Sequence, residues 1–349
     1  MAAISGLLAA TDDNSPNLGI AYTTVIGAGG TSGDYQLDIY HLNERSRGSR
    51  PVVIAIHGGG WCLGDKDPSS FTKHKANFFV RKNKCVFVSL NYRLSPNGFL
   101  IGVGTALWSA SRVMFPNHYQ DQATAIRWVQ DNISSYGGNP NKLILMGHSA
   151  GAQSVTVLGT NHEFINAVGV PTSSIKGVIS VDTEGYDVLD IILNPTGDES
   201  VGDGSPDTQR QIYENAFGIY PGIHTGTVYR YKDFPLATYG TSAAAIAAAE
   251  AQYNRASPNQ YASTPNLPKL MIITRGDSVR INKANSFYSS IVGVAGTYIS
   301  YPGVSTTYTH VEISDCIGAP VDPPSGRTLP VGIGNVSTEI TNFISSLNL

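Results

Sequence analysis

Two short stretches carry residue types suited to breaking an acyl bond. In LMGHSAGAQSV (145–155) an apolar run stops at Ser149, which is hemmed by Gly147, His148, Ala150 and Gly151. The G-x-S-x-G spacing makes a sharp strand-to-helix turn that pushes a serine hydroxyl outward, with glycines where a Cβ would strike neighbouring backbone. Ser149 is therefore the candidate nucleophile. A serine needs a base and a set of donors for the oxyanion that develops. HGGGW (His57–Trp61) follows the apolar run PVVIAI, and its consecutive glycines free backbone N–H groups to converge. Gly59 and Gly60 are the expected donors, with Gly58 as alternate, together with the N–H of Ala150 after the nucleophile.

The base is expected late in the chain, because in this arrangement the serine precedes the acid and the acid precedes the histidine. Of eight histidines, only His310 in TYTHVEIS follows the last predicted strand. His57 and His148 are motif neighbours with local packing or hydrogen-bonding roles, and His224 lies in an irregular segment. Two acids sit just past predicted strands: Asp277 in MIITRGDSVR and Asp182 at the end of GVISV. Chain order favours Asp277, with Asp182 the rival; either would fix the imidazole tautomer and stabilise the imidazolium. The tripeptide Arg275-Gly276-Asp277 also spells an adhesion motif, which is too short to carry that meaning.

The elements that must hold these groups are legible as apolar runs at 51–57, 84–90, 142–148, 176–182, 269–274 and 296–301. Their near-continuous hydrophobicity predicts central parallel strands covered on both faces. Segments 121–135 and 337–347 have helical periodicity, and the alternation implies an α/β fold with a mostly parallel sheet and helices on both faces. The whole chain, 1–349, reads as one domain with two interruptions, 97–119 and 185–265, the second containing an alanine-rich helical piece (242–253). Both follow strand ends, where ligand crevices form, and are candidate lid segments.

Composition narrows the class. A net charge of −3 with interspersed signs argues against a nucleic-acid partner. No apolar window reaches the length of a membrane span. Three cysteines permit at most one disulfide, and Cys62 reads as a packing residue. Neither zinc-ligand spacing nor a phosphate-binding loop is present, so no cofactor is implied. The sequons at Asn132 and Asn335 lean towards export, although no basic signal start is visible.

Taken together, LDIYHL (37–42), HGGGWCLGDK (57–66), NYRLSP (91–96), the stretch 121–152, GYDV (185–188), ASPNQY (256–261) and THVEISDCIG (309–318) resemble α/β-hydrolase esterases. The similar group includes hormone-sensitive-lipase-like carboxylesterases, feruloyl-esterase-like enzymes and kynurenine formamidases. The resemblance implies a Ser149, Asp277, His310 triad with the glycine loop as oxyanion hole. Two departures stand out: a longer 97–119 segment, and RGDSVR where His-Gly-x-x-Asp is commoner. The expectation is a serine carboxylesterase acting on a small-molecule ester with a small or aromatic acyl group. The alternatives are an arylformamidase-type amide hydrolase and a non-catalytic binding protein on a hydrolase scaffold.

Overall fold

The computed structural model describes residues 14–42, 49–67, 71–96, 112–197, 204–218, 242–291, 296–302 and 307–349. Its centre is one eight-stranded sheet: β1 (Asn14–Ala21), β2 (Gln36–Leu42), β3 (Arg50–Ile56), β4 (Val86–Leu90), β5 (Gly138–His148), β6 (Ile175–Val181), β7 (Lys269–Gly276) and β8 (Gly296–Pro302), in the order β1-β2-β4-β3-β5-β6-β7-β8. All six predicted strands are present, and β3 to β8 run parallel. β1 and β2 were not expected. They pair antiparallel at one edge, and β2 carries Asp38 and His41 among its apolar residues, which breaks the continuous pattern that marked the others. Asp38 is buried all the same, held by the Lys66 ammonium at 3.1 Å and the Gly19 N–H at 2.7 Å.

Alternation within the apolar runs assigns each residue to a face. Val52, Ile54 and Ile56 of β3 join Leu143 and Leu145 of β5 and Leu270 and Ile272 of β7 in one core cluster. Val53, Ala55, Ile144, Met146, Met271 and Ile273 enter a second cluster on the opposite face. Helices close both. Asn117–Asn132 and Ala150–Thr160 contribute Ile126, Val129, Val155 and Leu158 to the first, and Val336–Ser346 contributes Ile340 and Phe343 to the second. The amphipathic helix Asn117–Asn132 runs on through a 3-10 turn, Ile133–Tyr136, and stops at Gly137 in the left-handed region (φ 84°). Among the described residues no helix is long and apolar enough to cross a membrane.

Parallel strands end at one edge of the sheet, so the loops after β3, β5, β6, β7 and β8 gather there. The strand order reverses between β3 and β5, which opens a crevice between their loops. Of the two expected lid segments, residues 97–111, 198–203 and 219–241 lie outside the described residues. The described parts are built into the core: the Phe115 N–H donates to Ala216 O at 2.7 Å, and Phe115 and Phe217 are buried with rings 5.8 Å apart. The alanine-rich piece is a helix, Ala243–Arg255, capped by the Ser242 hydroxyl.

Candidate active site

Ser149 stands between β5 and the helix Ala150–Thr160 with φ 56° and ψ −123°, a conformation that L-residues adopt only when their surroundings enforce it. Two backbone bonds do so: Ser149 N–H donates to Val181 O at 2.9 Å, and Ser149 O accepts from Gln153 N–H at 3.1 Å. The turn is tight enough that a Cβ on Gly147 would lie 2.1 Å from Gly151 O. Glycine is required there by close approach. The hydroxyl is presented beside the N-terminal end of the helix, where partial positive charge favours a developing anion.

The glycine loop follows β3 and turns back at once, with Gly59 at φ 105° and Gly60 at φ 58°. Gly58 faces the nucleophile directly: a Cβ there would be 2.9 Å from Ser149 Cβ and 2.8 Å from His148 O. The carbonyl of Gly59 is turned away and accepts from the N–H groups of Cys62 and Leu63. Among the described residues no protein oxygen accepts from the N–H of Gly59, Gly60 or Ala150. NYRLSP underpins this loop. Tyr92 stacks on His57 at 4.7 Å and donates its hydroxyl to His57 O, while Ser95 N–H donates to Trp61 O at 2.8 Å. Arg93 is fixed in turn by a two-pronged pair with Asp121, at 2.7 and 2.8 Å. Cys62 is buried and desolvation pushes its thiol up to about 12, so it is a packing residue.

His310 lies in the loop after β8. Thr309 N–H donates to Glu312 Oε2 at 2.7 Å and Glu312 N–H to Thr309 Oγ1 at 3.2 Å, a reciprocal bonding that fixes the turn on either side of the histidine. Its carbonyl accepts from His148 Nε2 at 2.7 Å, and the two rings are 4.6 Å apart, which ties the histidine loop to the residue preceding the nucleophile. Burial, and then the neighbouring His310, push His148 well below the usual imidazole range, so it is neutral. The imidazole of His310 meets a carboxylate through Nδ1 at 2.7 Å, and that carboxylate belongs to Asp182.

The carboxylate that His310 meets is thus Asp182 and not the expected Asp277. Asp277 Oδ1 accepts the N–H of Arg280 at 2.9 Å, so this side chain caps the helix Ser278–Ser290, and it is exposed. Asp182 follows β6 in a left-handed conformation (φ 56°) and is fully buried. Arg275 donates to it from both its N–H and Nε, at 2.9 and 3.1 Å, and Arg280 Nε lies 3.3 Å from Oδ1. Burial by itself would raise this carboxyl, but Arg280, His310 and Arg275 hold it well below the usual carboxylate range. The strand ends of β6 and β7 are neighbours, so chain order alone could not choose between their acids. A usable signal was RGDSVR itself, whose two arginines need a buried carboxylate. Arg275 is buried against Asp182, which leaves the adhesion reading without an exposed arginine.

Residues 35–165 match the carboxylesterase family. The matched segment contains the glycine loop and Ser149 and stops short of Asp182 and His310. Phenmedipham hydrolase of Pseudarthrobacter oxydans is 38% identical over 136 residues, which is 37% of this chain and 25% of that protein. Esterase-5B of Drosophila persimilis is 33% identical over 128 residues, 37% of this chain and 22% of that protein. The matched part thus spans about a quarter of these relatives' length. Over the whole chain the likeness is one of fold. Esterase B from Lactobacillus rhamnosis superposes with a TM-score of 0.63 at 16% identity, covering 99% of this chain and 92% of that one. The Pyrobaculum calidifontis esterase gives 0.59 at 19% identity, covering 99% and 90%. The chain has the α/β-hydrolase fold.

Proposed function

We propose that the protein is a serine carboxylesterase of small or aromatic acyl esters, working through an acyl-enzyme. The observation that carries the reading is the Asp182–His310 pair, set at the same end of the sheet as Ser149 and the glycine turn. Ser149 Oγ attacks the ester carbonyl carbon as His310 Nε2 takes its proton; Asp182 holds the Nδ1–H and offsets the imidazolium charge. The carbonyl oxygen, now anionic, is received by N–H groups of Gly59, Gly60 and Ala150. His310 returns the proton to the departing alcohol, and a water deprotonated by the same imidazole then releases the carboxylic acid and restores the serine.

Support from relatives bears on the acyl group. A Lactobacillus rhamnosis esterase of the same fold is described with a tributyrin phosphonate inhibitor, which makes butyryl esters the first substrates to try, beside cinnamoyl esters and an aromatic formamide. The expected result is ester hydrolysis by the wild type and covalent labelling of Ser149 by a fluorophosphonate. Ser149→Ala should lose both, with kcat down roughly 10^4-fold or more and the fold unchanged by circular dichroism. Hydrolysis undiminished in that variant overturns the mechanism, and preference for the formamide over every ester overturns the substrate class.

A further inference from the structure

The acid carries more positive charge than it needs. Arg275 already matches Asp182, yet Arg280 also reaches it, through Nε at 3.3 Å from Oδ1 and through Nη2 donating to Asp182 O at 3.0 Å. Left uncompensated, Arg280 would place a net positive charge beside an imidazole whose task is to take up a proton. Glu184, two residues after Asp182 and buried, supplies the balance: its Oε2 lies 3.0 Å from Arg280 Nη2. Its Oε1 accepts the Tyr213 hydroxyl at 3.1 Å. Tyr213 belongs to the helix Pro206–Phe217, and its ring meets Trp61 edge-on at 5.4 Å, directly behind the glycine loop. One carboxylate is thus bonded both to the cation that grips the acid and to the helix that backs the oxyanion turn.

We propose that Glu184 is a positioning residue for the triad, one that neutralises Arg280 and so sets how readily His310 accepts the proton of Ser149. The proposal rests on the esterase reading above. Among the described residues, five other charged or titratable side chains face this cluster from adjoining elements. Tyr186, after β6, is buried with its hydroxyl against Ser180, and the charges of Asp182 and Arg280 act on it. Arg275 of β7 binds Asp182 directly. His148, at the end of β5, is neutral, and its ring is tilted at 39° against that of His310. Lys75 is buried, with its ammonium on Phe71 O, and its charge acts on His148. Glu312, in the histidine turn, is paired with Arg327 at 3.2 Å. Glu184 bonds Arg280 and Tyr213, and its charge reaches the Asp182–His310 pair through Arg280.

The charge argument makes two substitutions act in opposite directions, which a merely structural role would not do. Glu184→Gln removes one negative charge beside Arg280, disfavours the imidazolium, and should move the acidic limb of kcat/KM for a butyryl ester to lower pH by roughly half a unit or more. Arg280→Gln removes the cation and should move that limb to higher pH by a similar amount, while Arg280→Lys should stay close to wild type. If Arg280→Gln does not fold, Glu184→Gln decides alone. A limb unmoved in Glu184→Gln, or one moved to higher pH, overturns the proposal while wild-type hydrolysis stands. A wild type that neither hydrolyses esters nor takes a fluorophosphonate label overturns the esterase reading and the proposal together.

Discussion

At the scale of single residues, two aspartates at neighbouring strand ends sit in opposite surroundings. Asp182 is buried and bonds His310, whereas Asp277 is exposed and closes the first turn of a helix. Their substitutions should therefore separate cleanly. Asp182→Asn leaves the imidazole without a carboxylate to orient it and should lower kcat on the order of 10^3- to 10^4-fold. Asp277→Ala removes a cap and should cost about 1 kcal/mol of stability with kcat within a few-fold of wild type. Parallel kinetics and urea unfolding of the two variants check this; a large kcat loss in Asp277→Ala alone would return the acid to that position. Ser149 is singled out in the sequence by the G-x-S-x-G spacing around it, and His310 by its place after the last predicted strand. Glu184 was not, because nothing in GYDV or its surroundings marks a carboxylate whose partner is nearly a hundred residues further along the chain.

At the scale of elements, the glycine turn and the nucleophile elbow work as one unit pressed together at Gly58. A Cβ at that position would meet backbone at His148 as well as the Ser149 side chain, both closer than 3.0 Å, and backbone does not yield cheaply. Gly58→Ala should displace either the serine or the oxyanion donors by a fraction of an ångström, and positioning errors of that kind cost about 10^2-fold in rate. The expected signature is a fall in kcat with KM and melting temperature changed little. Wild-type turnover in Gly58→Ala would show that the turn is not held against the serine. Helix Pro206–Phe217, in a segment expected as a candidate lid, packs Tyr213 and Phe217 against Trp61.

At the scale of the whole molecule, three imidazoles among the described residues are buried in neutral form. Burial lowers His57, pushes His118 down to about 3 and holds His148 well below the usual imidazole range. In the unfolded chain each takes a proton below about pH 6.5, while the folded protein does not, so unfolding binds protons and stability falls as pH drops. Each such histidine contributes a slope of about 1.4 kcal/mol per pH unit. Asp182 adds to the loss further down: its lowered folded-state pKa stabilises above the unfolded carboxylate value near pH ~4, and that contribution fades as pH falls below it. Urea midpoints measured from about pH 7 down to about pH 4.5 should decline throughout. A flat profile over that range would mean that these rings are not buried neutral in the folded state.

The amino-acid sequence by itself determined the covered parallel strands, the elbow and the glycine turn, because period, apolar runs and glycine placement are local properties that each segment carries on its own. It did not determine the antiparallel edge, since β2 mixes Asp38 and His41 into an apolar run and buries Asp38 only by pairing it with a lysine from another loop. Nor did it determine the acid. Asp182 and Asp277 both end strands at the same edge of the sheet, and only the packed fold, by burying one between two guanidiniums and leaving the other in solvent, decides which carboxylate meets the imidazole.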